Sequence, residues 1–457
     1  MPTTLAIVAL VMGGVSLSLV VAASMRTASV SSASPAPLDS LGRRVLIVVP
    51  HPDDETLAAG GTIHRLVRAG ALVRVVVLTA GDSYRRAAAR LAGKQPDAAA
   101  YLRLGEVRYA ESLLAAAKLG LEPADVVSLG YADHTLSAMW NDCWDPSSPA
   151  QGRNGATCIP YSWAARPARV MCGADLAADL ESEIREFAPE TVIAPDVFET
   201  HPDHSAAAQF SIYAMDAVGY RGRRLSAVVH FRHYPYPWAH LPGRALDPPP
   251  HLIAAGTSWL ALPLDEADQR AKADAIAEYR SQTAIADLGI YMRAFVRTNE
   301  LFASRPAAAV PSQTGDGRPV EQFVVAVTPR PVIPAPPGSG PRIEAIRMVR
   351  GATTVWIGLR CDAALPATAT VAVAMRLFDG SGAPARLDVS ATGGGVSVAP
   401  AASNSIAPEG IRAELDGNTA WIVVPEAALA TYSHSILAAR VFIGDRCIRT
   451  PWNEVAL

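Results

Sequence analysis

The strongest constraint in this sequence is a short apolar run that ends in a cluster of acidic and imidazole side chains. Residues 45–62 read VLIVVPHPDDETLAAGGT, and the run is followed at once by His51, Asp53, Asp54 and Glu55. The run is typical of a buried strand. Charge placed there destabilises a fold unless it is paired or binds a metal. Because ligands of open parallel sheets bind at the carboxyl ends of strands, the stretch predicts a functional site.

A second stretch farther along the chain repeats this arrangement. Residues 191–209 read TVIAPDVFETHPDHSAAAQ, an apolar run and a loop before a second His/Asp cluster. Two such clusters can converge on one metal ion. His51 and Asp54 lie one turn apart, and His204 can supply a third ligand. Three N or O ligands with an open fourth position are typical of catalytic zinc, since structural zinc is usually closed by four Cys or His ligands.

These motifs resemble those of the PIG-L/LmbE family of zinc-dependent N-acetylglucosamine deacetylases. PHPDDE follows a strand, and HPDH lies far downstream. RYAE on a helix from Arg108, and Asp133 after the strand VVSLG, are similar to the middle of the family. KADAIAEYRSQ, which spans Lys272 to Gln282, and NELF resemble its closing signature. The resemblance covers roughly residues 43–305 and implies an amide hydrolase of that class.

The resemblance also implies roles for the motif residues. The expected zinc ligands are His51, Asp54 and His204. Asp53 is expected to be the general base on the metal-bound water, whose pKa the metal lowers towards ~7. His201 is expected to be the protonated partner of the tetrahedral oxyanion or of the leaving amine.

Of three further positions, Asp203 and Arg108 have two interpretations each and Asp133 has one. Asp203 either orients a metal-bound histidine or caps the helix that begins near Ser205. Arg108 and Asp133 match positions that hold sugar hydroxyls or linked groups in the family, although Arg108 can instead pair with Glu111 on its own helix.

Other candidates outside the core motifs are less specific. Glu55 is favoured by the helix dipole and has a possible second role in function. His230, His233 and Tyr234 follow an apolar run and are candidates for the pocket wall, whereas His64 fits a solvated helix face. Lys272 and Gln282 match the signature or simply pack the last helix.

Strand and helix patterns alternate from Val45 onward. The predicted strands after the first are 73–78, 126–129, 192–194 and 227–231, and the predicted helices are 57–69, 98–119, 176–187 and 205–218. This alternation predicts an α/β, Rossmann-like, mainly parallel sheet with flanking helices. No G-x-G-x-x-G follows the first strand, so a dinucleotide is not expected.

Composition divides the rest of the chain. Residues 1–23 contain an uncharged apolar run from Leu5 to Ala23, which predicts a signal peptide or a membrane anchor. Residues 24–42 are predicted to be a flexible spacer, and residues 43–305 the deacetylase-like domain. Residues 306–341 are Pro/Gly-rich and predict a linker. The globular part is therefore expected outside the cytoplasm, secreted, periplasmic or anchored, and a net charge of −3 gives no reason to expect nucleic acid.

An insertion at residues 137–173 interrupts the pattern with three tryptophans and three cysteines. Either its tryptophans form a substrate-side rim, or it is a disulfide-pinned surface insertion with packed tryptophans. Five cysteines without a C-x-x-C favour an oxidising compartment. Cys143–Cys158 and Cys361–Cys447 are the expected pairs, leaving Cys172 free.

Residues 342–457 change to a period of two, which predicts an all-β, sandwich-like domain with DGS and DGN turns. It contains one histidine and no acidic cluster, so catalysis is not expected there. Binding of carbohydrate or cell wall is one interpretation, and packing or spacing is the other.

The prediction from sequence is thus a zinc hydrolase that removes acetyl from an N-acetylglucosamine-containing glycan or glycoconjugate. The alternatives are an amidase acting on another amide conjugate and a catalytically silent sugar-binding protein. Three features differ from the family: the insertion is long, FET before HPDH lacks a tyrosine found in some relatives, and the C-terminal β domain is additional.

Overall fold

The computed structural model describes the chain from Ala33 to Leu457, with gaps. The described residues are 33–249, 252, 257–319, 326–327, 341–379, 384–393, 395–398, 405–406, 409–450 and 452–457. They form a mainly parallel sheet flanked by helices, followed by two mainly antiparallel sheets. The predicted fold class is confirmed.

The first sheet has eight strands. In chain order they are β1 (Ala33–Pro35), β2 (Arg44–Val49), β3 (Leu72–Thr79), β4 (Val126–Tyr131), β5 (Thr191–Pro195), β6 (Arg223–Ala227), β7 (Ser258–Pro263) and β8 (Asn299–Ser304). The α-helices are α1 (Asp54–Arg68), α2 (Arg85–Ala92), α3 (Ala98–Lys118), α4 (Leu136–Asn141), α5 (Gly173–Phe187), α6 (Pro202–Ala217), α7 (Glu266–Glu278), α8 (Arg280–Thr283) and α9 (Ala286–Arg293). Leu38–Leu41 and Pro123–Asp125 are 3₁₀ helices.

The order of the strands fixes where a ligand can bind. The sheet runs β1-β7-β8-β6-β5-β2-β3-β4, and β2 to β6 are mutually parallel. The chain moves from β2 towards β4 in one direction and resumes on the other side of β2 with β5. Such a reversal opens a crevice at the carboxyl ends of the two central strands. Both His/Asp motifs follow these two strands.

The central strands are apolar because helices cover both faces of the sheet. Residues 45–49 are each at most 3% exposed. The side chains of Val45, Ile47 and Val49 belong to one core layer, and those of Leu46 and Val48 to the layer on the opposite face. A strand buried on both faces carries a continuous apolar run, which is why it was recognisable in the sequence.

The strand predicted at residues 227–231 is wrong in position. The strand is β6, which begins at Arg223 and ends at Ala227. Val228 and Val229 are buried but leave the sheet, because Val229 N–H donates to Glu199 and the His230 carbonyl accepts from Thr200 N–H at 2.7 Å. Apolarity alone did not distinguish a buried loop from a strand.

The second half of the predicted spacer, from residue 33, is not flexible chain. Strand β1 pairs in parallel with β7, and a 3₁₀ helix follows it. Pro35 is tolerated because β1 is an edge strand. The apolar run at 5–23 lies outside the described residues. Within the described part of the chain, no helix combines the length and apolarity needed to cross a membrane.

The insertion packs through its aromatic side chains. Trp140 is fully buried, and Trp144 is 7% exposed beside Phe210. Trp163 is covered on its two faces by Tyr109 and Tyr161, with ring centroids 4.2 and 4.6 Å away. These three tryptophans therefore support the packing interpretation, because none offers a free face to a sugar.

The predicted disulfides are wrong, since all five cysteines of the chain are described and all are free. Cys361 ends a strand of one sandwich sheet and is buried, whereas Cys447 lies exposed on the other sheet. Cys158 is likewise exposed, and its backbone forms an isolated β-bridge with Val170.

The C-terminal sandwich consists of two sheets. Its strands are β9 (Ala308–Ala309), β10 (Ala326–Val327), β11 (Ile343–Arg350), β12 (Thr354–Cys361), β13 (Thr370–Phe378), β14 (Ala385–Thr392), β15 (Gly395–Val398), β16 (Arg412–Asp416), β17 (Thr419–Pro425), β18 (His434–Ile443), β19 (Arg446–Arg449) and β20 (Asn453–Ala456). A 3₁₀ helix, Glu426–Ala428, lies between β17 and β18. Because β9 pairs with β20, the residues just after 306 belong to this sheet rather than to a free linker.

One sandwich sheet is buried on both faces because its outer face packs on the α/β domain. Ile436 and Ala438 of β18 share a core layer with Trp140, whereas Leu437 and Ala439 fill the sandwich interior. Trp452 meets Trp140 edge to face with centroids 5.9 Å apart. The packing interpretation of this domain is therefore supported on that face.

Candidate metal and catalytic site

The candidate site lies where five parallel strands end. The loops after β2, β3, β4, β5 and β6 bring together side chains from positions 51 to 230. Every residue predicted for the site lies in this one cluster: His51, Asp53, Asp54, Arg108, Asp133, His201, Asp203 and His204. The sequence motifs thus converge as expected from the carboxyl-edge argument.

Two of the histidines flank one carboxylate oxygen of Asp54. Asp54 Oδ2 lies 3.1 Å from His51 Nδ1 and 3.1 Å from His204 Nε2. All three side chains are at most 8% exposed. Asp54 begins α1 and His204 lies in the first turn of α6, so rigid helices position both.

Several polar atoms in this cluster that could bind a metal lack a hydrogen bond. His51 Nε2, His204 Nε2, His204 Nδ1 and Asp54 Oδ1 are buried and have no hydrogen-bond partner among the described residues. Their neighbours lie close but off the hydrogen-bonding direction. Buried polar atoms of this kind need a partner, and a metal ion supplies one.

The ligand types fit a divalent cation. Three groups have their candidate ligand atoms within 4.8 Å of one another: His51/His201/His204, Asp54/His204/His230 and His51/Asp133/Asp203. Imidazole nitrogens with a carboxylate oxygen are typical of zinc or a related transition metal. The predicted ligands therefore fit a metal, with His230 as an additional candidate.

Asp53 occupies a strained position at the mouth of the crevice. Its φ is +119°, which is unusual for any residue other than glycine and is typical of functional sites. Its carboxylate accepts from Arg108 Nη2 at 2.9 Å. Burial raises the Asp53 pKa to about 8, although the Arg108 charge opposes that rise. Asp53 therefore lies beside the ligand cluster without joining it.

Arg108 is buried and serves as an organiser of these loops. It donates to the carbonyls of Gly81 and Pro52 as well as to Asp53. Gly81 has φ +61°, and a Cβ there would overlap the guanidinium. The alternative pairing with Glu111 is wrong, because Glu111 accepts instead from Ser281 N–H and Oγ at 2.7 and 2.6 Å.

Asp133 faces the same cluster from the loop after β4. Its Oδ1 lies 3.1 Å from His51 Nε2, and its Oδ2 accepts from Ser83 N–H at 3.2 Å. Asp82 accepts from Asp133 N–H at 3.0 Å and also from Tyr161 Oη at 2.8 Å. The insertion thus contacts the site through Asp82, which the sequence analysis missed.

Asp203 is not a helix cap. His201 caps α6, because its Nδ1 accepts from Asp203 N–H at 3.3 Å. The Asp203 carboxylate accepts from His134 N–H at 2.6 Å and lies 3.5 Å from His51 Nε2. This location agrees with the interpretation that Asp203 orients a histidine.

His201 is held in its neutral form. Burial, and next the positive neighbours His51 and His204, lower its pKa to about 2. Since Nδ1 accepts a backbone N–H, the ring proton lies on Nε2. The expected protonated state of His201 is therefore disfavoured here, while donation from Nε2–H is retained.

His204 has acidic neighbours on both ring nitrogens. Its Nδ1 lies 3.5 Å from Glu199 Oε1, on the side opposite Asp54. Although burial alone would lower the pKa of His204, Asp54 and Glu199 raise it to about 9. Glu199 was missed in the sequence, although it lies in the FET segment directly before HPDH.

His230 and Tyr291 complete this side of the pocket. The His230 ring lies 4.6 Å from that of His204 and stacks on Tyr291 at 5.7 Å. His230 thus lines the site as predicted for one of three residues in its loop, while His233 is exposed and Tyr234 is buried elsewhere in the core.

Glu55 is hydrogen-bonded to a residue near the end of the domain in sequence. It is buried and accepts from Tyr279 Oη and from Thr56 Oγ1, and burial raises its pKa. It also accepts from Asp53 N–H at 3.2 Å. Glu55 therefore contributes to the position of Asp53 in addition to any effect of the helix dipole. His64 pairs with Asp268 at 2.9 Å, away from this cluster.

Residues 46–215 match the family model described as PIG-L: GlcNAc-PI de-N-acetylase. This segment of the chain is similar to a PIG-L domain. The matched segment begins in β2 and ends in α6, so it includes the two motif loops but not His230, Tyr279 or Tyr291.

Several curated proteins similar to this chain are named as a 1D-myo-inositol 2-acetamido-2-deoxy-alpha-D-glucopyranoside deacetylase. One from Tsukamurella paurometabola is 35% identical over 189 residues, 39% of this chain and 57% of that protein. One from Saccharopolyspora erythraea is 36% identical over 181 residues, 37% of this chain and 53% of that protein. The chain spans about half the length of the curated relatives it matches.

Solved structures similar to this chain include two deacetylases. The A40926 pseudoaglycone deacetylase Dbv21 is 21% identical, with 57% of this chain and 96% of that chain covered, at a TM-score of 0.36. The N,N'-diacetylchitobiose deacetylase from Pyrococcus horikoshii is 23% identical, with 52% and 70% covered, at a TM-score of 0.30.

Proposed function

We propose that this chain is a metal-dependent hydrolase that removes the acetyl group from an N-acetylglucosamine-containing glycan or glycoconjugate. One observation carries the proposal. The buried ligand cluster of His51, Asp54 and His204 lies beside the strained Asp53–Arg108 pair, at the reversal of strand order, within a segment similar to a PIG-L domain. The names of the matched relatives support deacetylation of an amino sugar as the reaction.

His51, Asp54 and His204 would hold the metal, and we propose Zn²⁺ because this ligand set is typical of catalytic zinc. When bound, such an ion supplies Lewis acidity to the amide carbonyl and lowers the pKa of water. Asp203 and Glu199 would orient the ligand histidines, since each lies 3.5 Å from a ring nitrogen.

Asp53 would accept the proton from the attacking water. The water oxygen forms a bond to the carbonyl carbon, and the C–N bond then breaks to release acetate and the amino sugar. The proton that Asp53 holds can pass to the leaving nitrogen, so no other donor is required. Arg108 would fix the orientation of Asp53 through its 2.9 Å contact.

His201 would stabilise the oxygen that becomes negative during attack. It would do so as a neutral ring that donates from Nε2–H, because its Nδ1 already accepts the Asp203 N–H. Asp133 and Arg108 are the residues we propose for contacts with sugar hydroxyls. The segment FET lacks a tyrosine that could stabilise this oxyanion. The rings of His201 and His230 lie next to each other in the site.

We further propose that the enzyme acts outside the cytoplasm, secreted or anchored through residues 5–23. The support is the apolar composition of that run. A glycan of the cell surface or surroundings would then be the natural substrate class.

The test measures acetate release by the full chain, with added zinc, from a panel of N-acetylated glycans and glycoconjugates. We expect release that chelator abolishes and zinc restores. His204→Ala should lose both activity and zinc, whereas His64→Ala, which changes a histidine on α1 away from the site, should lose neither.

If no member of the panel released acetate while zinc remained bound, the result would contradict the deacetylase proposal. It would favour hydrolysis of another amide conjugate if a thiol or glycopeptide amide were cleaved, and a sugar-binding role if nothing were.

A further inference from the structure

Exposed large apolar side chains are few on the described surface, and three of them belong to the loop that carries His230 or to the helix that carries Tyr291. Tyr236 is 64% exposed, Trp238 is 55% exposed and Ile290 is 48% exposed. The others lie elsewhere: Leu72, Leu91 and Leu114. Tyr236 and Trp238 belong to the loop that begins with His230, and we call residues 230–240 the aromatic loop.

The aromatic loop is linked to the metal ligands by ring contacts. Trp238 meets Tyr291 edge to face at 5.3 Å. Tyr291 stacks on His230 at 5.7 Å, and His230 lies 4.6 Å from His204. Three ring contacts in succession therefore connect Trp238 to His204, a predicted zinc ligand.

The loop is fixed to the protein from beneath. The guanidinium of Arg297, a fully buried residue, donates to the Pro237 carbonyl at 2.9 Å and to the Ala239 carbonyl at 3.0 Å. Tyr234 is 4% exposed and packs against Phe295. A loop held in this way presents its outer aromatic rings in one orientation at little entropic cost on binding.

The chemistry around the rings favours a sugar over a lipid chain. Tyr and Trp have flat apolar faces with a polar edge, which suits the C–H face and hydroxyl rim of a pyranose. Arg232, His233 and His240 are exposed on the same loop and offer hydrogen bonds to hydroxyl groups. An acyl chain would require a wider surface without these charges.

We propose that Tyr236 and Trp238 form a binding subsite for the sugar ring next to the one that is deacetylated. This inference rests on the proposed function and deepens it, because it assigns the enzyme to oligosaccharides rather than to single sugars. The aromatic subsite is thus assigned to the loop after β6 and not to the insertion, whose tryptophans are covered.

The experiment compares N-acetylglucosamine with its β-1,4-linked trimer as substrates of the full zinc-loaded chain. We expect kcat/KM for the trimer to exceed that for the monomer in the wild type. Trp238→Ala should lower the trimer value at least about fivefold and leave the monomer value unchanged, since one aromatic contact is lost. Trp238→Phe should retain much of the preference, and Leu114→Ala is the control for an exposed apolar residue far from the loop.

A second measurement separates this inference from the proposed function. Calorimetric titration with the trimer reports binding whether or not acetate is released, and we expect Trp238→Ala to weaken it relative to wild type. If acetate is released but Trp238→Ala affects monomer and trimer equally, the subsite is wrong and the deacetylase stands. If no acetate is released but Trp238-dependent trimer binding is measured, the subsite stands and the proposed function fails. If the wild type does not bind the trimer, the inference is overturned.

Discussion

Asp53 combines three properties that neither neighbouring acidic residue combines. It has a left-handed backbone conformation, an ion pair with a buried arginine and a pKa raised by burial to about 8. Adjacent Asp54 points instead towards two imidazoles. Consecutive residues thus take different roles because their side chains leave the backbone in different directions.

We predict that Asp53→Asn keeps zinc and loses turnover. Asn tolerates a positive φ and has nearly the same shape, so the fold should be retained. Loss of a general base typically lowers kcat about 10²- to 10⁴-fold. Acetate release and zinc content measured on the same preparation check this. Unchanged kcat would exclude Asp53 as the base.

His230 offers a second test at the residue scale. Its ring lies within reach of Asp54 and His204, so we predict that His230→Ala weakens zinc binding about 10- to 100-fold, the range found when a metal site loses a supporting group. Competition with a chelator of known affinity measures the effect. His233→Ala, on the same loop but exposed, is the matched control, and equal affinities in both variants would remove His230 from the metal site.

At the scale of elements, the position of α1 depends on a buried ion pair from two distant segments. Glu300 on β8 accepts from the N–H groups of Gly61 and Thr62 at 2.9 and 2.7 Å. Lys272 on α7 pairs with Glu300 at 2.6 Å and donates to the Leu57 carbonyl at 2.8 Å. These contacts hold the helix whose first residue is Asp54. The two signature segments therefore support the candidate site without touching its predicted metal ligands.

We predict that Lys272→Met destabilises the protein by about 3–5 kcal/mol, because it leaves the Glu300 carboxylate buried and unpaired. The matched control is Arg68→Met, which removes a half-exposed cation that also joins α1 to the α7 region through Asp265. That variant should change stability little. Denaturant unfolding measures both, and similar losses would show that burial of the pair does not matter.

At the scale of the whole molecule, the sandwich is a structural partner of the site-bearing domain. Asn141, at the end of α4, accepts from Arg386 and Arg440 of the sandwich, the latter at 3.2 Å. The helix α4 follows the loop that carries Asp133. A cavity of about 200 Å³ lies at the same boundary and is lined in part by Arg224 and Glu454.

Glu454 makes this boundary sensitive to pH. Burial, and next Asp216, raise its pKa to about 7 despite Arg224 at 3.3 Å. In the folded protein Glu454 therefore remains protonated at pH values above its ordinary pKa of 4.5, and this tighter proton binding stabilises the folded state. The stability this gives is fully present below about pH 4.5 and is lost as the pH rises through about 7.

We predict that Glu454→Gln, which mimics the protonated acid, has the same free energy of unfolding as wild type at pH 4.5. At pH 8 it should be more stable by on the order of 1–3 kcal/mol, after allowance for partial exposure. Denaturant unfolding at both pH values measures this. Glu409→Gln, at an exposed position, should show no such difference, and a pH-independent effect of Glu454→Gln would contradict the argument.

The parts of this molecule that the sequence predicted share a local signal. The central strands were recognisable because burial on both faces demands continuous apolar runs. The two motifs were recognisable because their candidate metal ligands lie on one helix or turn with a short, fixed spacing. Single residues such as His230 and Tyr291 have no spacing of this kind. His230 was one of three candidates in its loop, and only the packing around β6 and α9 shows that its ring is the one that lies beside His204.

The sequence by itself therefore determined the class of fold, the location of the site at the carboxyl ends of strands and the set of residues that fits a metal. The tertiary structure decided which tryptophans are covered and which remain exposed, that β1 completes the sheet and that the cysteines stay unpaired. It also decided that the sandwich packs on α4. The physical reason is that local patterns record the burial and spacing within one element, whereas contacts between elements depend on how the chain is packed.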